Sequence, residues 1–203
     1  MGLRHLERAS TDTHIRISLT WEPFFLNTNI PPEGEDLLHH LLKKYGPIAT
    51  ERYGGDDNPL RRAGLACDPP IAFRNERSIY PTDKCHAVME HLKGLDQNEE
   101  ANHVMEIMFR RYFEEGCRIN SNDILSEILV EANLSPTIVE TVDSNDDLTQ
   151  LVWRKDREFK TKLRVSGVPF FIFHRNDGGR AQAFSGAQPA EMMAEQLEDA
   201  ADS

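Results

Sequence analysis

Near the end of the chain one stretch leaves the backbone few options: Ser166 to Phe173, SGVPFFIF. Val168 to Phe173 is a short apolar run, and the proline inside it lacks the N–H that a central strand would need. Pro169 must therefore open a strand or sit on an edge. Gly167 bounds the run on one side and the turn-forming cluster Arg175-Asn176-Asp177-Gly178-Gly179 on the other. Arg180 to Ser185 then reads as a second strand, so the pair predicts a β-hairpin. Pro189 stands where the first turn of a last helix belongs, and Met192, Met193 and Leu197 continue it. A chain that closes on a hairpin and a covering helix is expected to be α/β.

The upstream pattern fits that expectation. From His14 to Trp21, Ile15, Ile17, Leu19 and Trp21 alternate with His14, Arg16, Ser18 and Thr20, which predicts a strand with one face on a core. Leu3 to Ala9 predicts a short helix. Asn27 to Gly34 is a loop, and Glu35 to Tyr45 a helix ended by Gly46-Pro47. Arg52 to Pro59 (RYGGDDNP) predicts an exposed loop. Pro81 to Leu163 is helical: His86 to Leu92, then Glu99 to Gly116, then a segment capped by Ser121 with Ile124, Leu125, Ile128 and Leu129 in a stripe. Two more helices start near Pro136 and Asp146. The order is strand, helical block, hairpin, helix, with helices inserted between two parts of one sheet.

Composition narrows the function classes. A net charge of −11 opposes binding to phosphate backbones. The basic cluster Lys155, Arg157, Lys160, Lys162 and Arg164 is interleaved with Asp156 and Glu158, as on a solvated helix face. No nucleic-acid partner is expected. No apolar run approaches the roughly 20 residues that span a bilayer, so no membrane role is expected either. The first residues, MGLRHLERASTDTH, carry no apolar signal core, and a cytoplasmic location is the expectation.

The three cysteines, Cys67, Cys85 and Cys117, are widely spaced and read as reduced thiols. None forms a Cys-x-x-Cys, so neither a redox pair nor a zinc knuckle is encoded locally. Cys67 and Cys85 are expected in loop or core positions without a catalytic role, and Cys117 partly exposed at a helix end. Cys85 and His86 point apart as helical neighbours. His39-His40 lacks metal-site spacing, so no metal and no cofactor is expected.

Three blocks, in order, resemble the DsbA-like thioredoxin-fold family, in its FrnE-type branch within the 2-hydroxychromene-2-carboxylate isomerase/DsbA-like superfamily. They are WEPFFLNTNIPPEG at Trp21 to Gly34; FRRYFEEG at Phe109 to Gly116 with INSNDILSEILVEANL after it; and SGVPFFIF with FSGAQPAEMM at Phe184 to Met193. The match runs from about Gly2 to Leu197. It implies a thioredoxin-like fold with an inserted all-helical domain: residues 1–50 and 164–203 form the thioredoxin-like domain, and 51–163 the loop and helical insertion.

The family implies thiol–disulfide exchange at a Cys-x-x-Cys that opens the first helix, where a helix N-terminus favours the thiolate. Here Gly2 to Ala9 (GLRHLERA) resembles the helix that follows that motif. The chain as given holds neither the motif nor the strand before it, and an N-terminal truncation is the expected explanation. No catalytic residue is therefore assigned. By resemblance, Gly167, Val168 and Pro169 are expected to bind substrate: a cis bond into Pro169, the Val168 backbone pairing with an extended thiol- or disulfide-bearing peptide, and Gly167 leaving room. The readings are a DsbA-like oxidoreductase family member inactive as given, a redox-dead peptide-binding module, or a glutathione-dependent isomerase or transferase of the kappa type. A missing central strand would also expose a sheet edge and favour self-association.

Overall fold

A computed structural model describes residues 1–55, 58–179 and 181–202. The chain begins with α1 (Gly2–Thr13), ended by His14 in the left-handed conformation with its N–H donated to Thr11 O. β1 (Glu35–Asp36) leads into α2 (Leu37–Tyr45), whose cap Asp36 accepts the His39 N–H. α3 (Pro47–Gly54) and α4 (Pro59–Leu65) follow, then β2 (Ser78–Ile79). The helical block comprises α5 (Asp83–Gly94), α6 (Asn98–Phe113), α7 (Asn122–Glu131), α8 (Ile138–Asp143) and α9 (Asp146–Lys162). β3 (Phe170–Phe173), β4 (Gln182–Ser185) and α10 (Ala190–Asp202) close the chain.

Two apolar cores form. The larger joins Val88 and Leu92 of α5 to Val104 and Met108 of α6, Leu125, Ile128 and Leu129 of α7, Val139 and Val142 of α8, and Val152 of α9. The Ser121 hydroxyl accepts the Ile124 N–H and starts α7 where the sequence places a cap. The smaller core packs Leu6 and Ala9 of α1 on Met193 and Leu197 of α10, flanked by Ile15, Ile17, Leu19, Phe171, Phe173 and Phe184. Leu6 with Ala9, and Met193 with Leu197, are the i, i+3 and i, i+4 spacings of one helix face. The fold is mixed α/β and dominated by helix.

Several local expectations are corrected. Residues 14–21 keep the alternation in burial: Ile15, Ile17 and Leu19 turn inward while Arg16, Ser18 and Thr20 are exposed. They form no ladder, because among the described residues no strand is hydrogen-bonded to them. The paired residues make two separate two-stranded antiparallel ladders, β1 with β2 and β3 with β4, rather than one sheet. Within Arg52 to Pro59, Arg52 to Gly54 belong to the end of α3 rather than to a loop, and Pro59 opens α4. Asn58 is buried, caps α4 by accepting the Arg61 N–H, and donates to the Tyr53 and Gly55 carbonyls. Asp56 and Asp57, and Arg180 at the start of the second predicted strand, lie outside the described residues.

The basic cluster on α9 is only partly solvated. Lys155 and Lys93 share the carboxylates of Glu22 and the buried Glu90 at 2.9–3.0 Å. Asp156 is 4% exposed and pairs with Lys160. These residues hold the segment after Trp21 against the helical block. Lys93 Nζ donates to Trp21 O, Phe25 N–H donates to Asp156 Oδ1, and Lys160 Nζ donates to Phe25 O. Among the described residues no helix is long and apolar enough to cross a membrane.

Candidate functional site

The approach to Pro169 starts at the end of α9. Arg164 takes a left-handed conformation, and the buried Val165 donates its N–H to Phe159 O, turning the chain off the helix. Among the described residues, its chain neighbours aside, nothing lies within 4 Å of where a Gly167 side chain would begin. Val168 is about half exposed, at 49%. Its backbone N–H and C=O have no hydrogen-bond partner among the described residues. The Val168–Pro169 peptide bond is cis, as is Asp68–Pro69. Pro169 O accepts the Gly186 N–H at 2.8 Å, which begins the pairing of β3 with β4. The opposite edge of β3 is unpaired among the described residues.

The first turn of α1 lies directly on this proline. A Cβ on Gly2 would meet Pro169 Cγ at 3.1 Å and Phe171 Cζ at 3.2 Å. Only a glycine therefore permits this approach without a shift in the proline or the phenylalanine. The open backbone at Gly167 and Val168, Pro169, and the N-terminal turn of α1 thus come together. That is the neighbourhood that the substrate-binding expectation named.

Beside it lies a feature that the sequence reading assigned only to packing. Phe24, Phe25, Leu26, Lys160, Val165 and Ser166 line a cavity of about 360 Å³. Phe24 lies under the Lys160 ammonium, 4.8 Å from ring centroid to Nζ. The Phe25 ring stacks at a tilt on Trp153, 4.4 Å between centroids. The signal available in the sequence was the Asp156/Lys160 pair at i, i+4; what joins it to Phe25 is a contact 131 residues apart. An aromatic wall carrying one ammonium can take an apolar or aromatic group with a nearby carboxylate or carbonyl.

The cysteines are dispersed. The Cys85 thiol is buried, donates to Ile119 O at 3.3 Å, and is pushed up to about 12 by burial. A thiol held protonated in this way is inert. Cys117 is partly exposed and donates to the Glu115 carboxylate at 3.9 Å. Cys67 is buried beside His5. His86 turns away from Cys85: its ring packs edge-on to Phe25, 5.3 Å between centroids, and burial pushes the imidazole down to about 4. His40 Nδ1 donates to the Glu35 carboxylate at 2.8 Å, while His39 is exposed. Among the described residues no group of three or more His, Cys, Asp or Glu side chains could hold a metal ion.

The family model of the DSBA-like thioredoxin domain matches residues 1–198. Among solved structures, the chain is similar to a probable DsbA oxidoreductase from Streptomyces coelicolor, with a TM-score of 0.81 and 24% identity over 99% of this chain and 83% of that one. It is similar also to the cytosolic disulfide reductase DsbM from Pseudomonas aeruginosa, with a TM-score of 0.59 and 18% identity over 100% of this chain and 93% of that one. At these identities the likeness is one of fold. No curated protein matches by sequence.

Proposed function

The chain belongs to the DSBA-like thioredoxin domain family, and from that premise we propose that it binds extended thiol- or disulfide-bearing peptides along the backbone of Gly167, Val168 and Pro169. The observation that carries the reading is the conjunction at Pro169: before it stands the half-exposed Val168, whose backbone groups have no partner among the described residues, and the proline itself meets the first turn of α1 just before β3 begins. A peptide laid there in extended form gains main-chain hydrogen bonds to Val168, each worth about 1 kcal/mol net. The aromatic cavity beside Ser166 offers a side-chain pocket for that peptide.

The chemistry of the family is thiol–disulfide exchange. The 203 residues given contain no Cys-x-x-Cys, and the three thiols they do contain are separate and unpaired. In this reading the chain as given binds the substrate class without turning it over. The FrnE-type branch, a cytoplasmic location, and a division into residues 1–50 with 164–203 and an inserted 51–163 belong to the same reading. The two distinct cores support that division.

The test is binding of an unstructured, cysteine-containing peptide by calorimetry, together with insulin reduction. Wild-type chain is expected to bind and to show no reductase turnover. Val168→Pro removes the N–H and is expected to weaken binding at least about tenfold, the equivalent of roughly 1.4 kcal/mol. Unchanged affinity in that variant, its melting temperature being preserved, overturns the groove.

A further inference from the structure

Cys67 and His5 lie 62 residues apart in sequence and meet where the chain just beyond α4 reaches α1. The Cys67 Sγ stands 3.8 Å from His5 Nε2 and 3.4 Å from the Ala63 carbonyl, two alternative acceptors for its single S–H proton. The other ring nitrogen of His5, Nδ1, is 2.7 Å from the carbonyl oxygen of Gln188. A carbonyl can only accept, so Nδ1 carries the proton and donates it. That leaves Nε2 as the acceptor, turned to the sulfur. A nucleophile, a base within reach, and a third group that orients the base make up the arrangement that activates thiols.

The pair opens on a cavity of about 190 Å³, which Arg4, Arg8, Asp68 and Glu191 also line. Two guanidinium groups and two carboxylates stand in a wall otherwise made apolar by Ala66, Ala187, Pro189 and Ala190, and the Met1 ammonium also faces the thiol. Neither of the other cysteines has such surroundings. Cys85 faces only a carbonyl in the core, and Cys117 faces a carboxylate, which opposes a thiolate.

We propose that Cys67 and His5 form a thiol–imidazole pair that serves as a covalent modification site for low-molecular-weight disulfides entering this cavity. His5 Nε2 takes the proton from Cys67 Sγ. The thiolate attacks one sulfur of the disulfide, its S–S bond breaks, and the departing sulfur leaves as a thiolate that takes the proton from the imidazolium. One thiol and one disulfide go in, and one mixed disulfide and one small thiol come out. Cys67 is oxidised and half of the reagent is reduced, so no other oxidant is required. This site goes beyond the peptide-binding reading and does not rest on it, since Val168 takes no part.

The full chain is incubated with bis(hydroxyethyl) disulfide, and mixed-disulfide formation at each cysteine is followed by peptide mass spectrometry. Cys67 is expected to react at least about tenfold faster than Cys85. His5→Gln is expected to slow Cys67 by about tenfold or more, in the lower range of general-base effects. Equal rates at Cys67 and Cys85, or a wild-type rate in His5→Gln, overturns the proposal. The comparison of Cys67 with Cys85 in the unmodified protein needs no variant, so a folding defect in His5→Gln leaves the test intact.

Discussion

His86 shows what a single ring contributes when a helix turns it inward. It sits on α5 with its edge against Phe25, and burial holds its imidazole near 4 while an unfolded chain would let it titrate near 6.5. The unfolded state thus binds the proton first as pH falls. The stability associated with the neutral ring is complete above about pH 6.5, and declines as pH drops from there towards 4. The loss amounts to at most about 3 kcal/mol, from roughly 1.4 kcal/mol per pH unit. Urea unfolding at pH 7.5 and pH 5 is expected to show this decline in the wild type and a shallower one in His86→Phe. Equal slopes would remove His86 as its source. Such residues were hard to read in sequence. The spacing of His86 beside Cys85 rightly placed them on different sides of a helix. Neither the ring contact with Phe25 nor the approach of His5 to Cys67 has a local signature, because both are made by chain segments more than 60 residues apart.

At the scale of elements, the α1–α10 pair holds the N-terminal turn against the hairpin. Leu6 is almost fully buried between the two helices, with Ala9, Met193 and Leu197. Leu6→Ala is expected to cost about 3 kcal/mol, within the 2–5 kcal/mol range for emptying such a site, and to lower the urea midpoint without changing the slope. A change below about 0.5 kcal/mol would mean that α1 is not held by this contact. Periodicity made most of the helices legible. The Ser121 cap, the hairpin and the last helix after Pro189 stand within a few residues of where the sequence puts them. Residues 14–21 were legible only by half. Alternation tells which side chains face a core, and Ile15, Ile17 and Leu19 do so, but it carries no information on whether a partner strand exists. The Arg52 to Pro59 stretch misled because Gly54 and Gly55 look like loop punctuation, whereas Asn58 closes a junction by bonding to both flanking turns.

At the scale of the whole molecule, the two cores and two short ladders seen among the described residues leave much strand-like backbone there unpaired. β3 offers an open edge among the described residues; Ile172 on it is 38% exposed, and Val168, two residues before it, 49%. Unpaired edges with apolar side chains template association between chains. Sedimentation over a concentration series is expected to show reversible self-association, reduced by Ile172→Lys; a monomer at every concentration would contradict this. The thioredoxin-like organisation itself was readable, because the hairpin with its proline and the closing helix lie together at one end of the chain. The clamp on Trp21 and Phe25 was not, since it draws Lys93 from α5 and Asp156 with Lys160 from α9, both far along the chain from the residues they hold. That clamp has a consequence for how residues 14–21 could ever be paired. Lys93, Asp156 and Lys160 grip the backbone at Trp21 and Phe25. The phase of the preceding residues is thereby set from the helical side, before any neighbouring strand arrives. A slide by one residue would wrench three charged anchors loose and turn Ile15, Ile17 and Leu19 out into water, so an incoming strand meets a ruler whose marks are already cut.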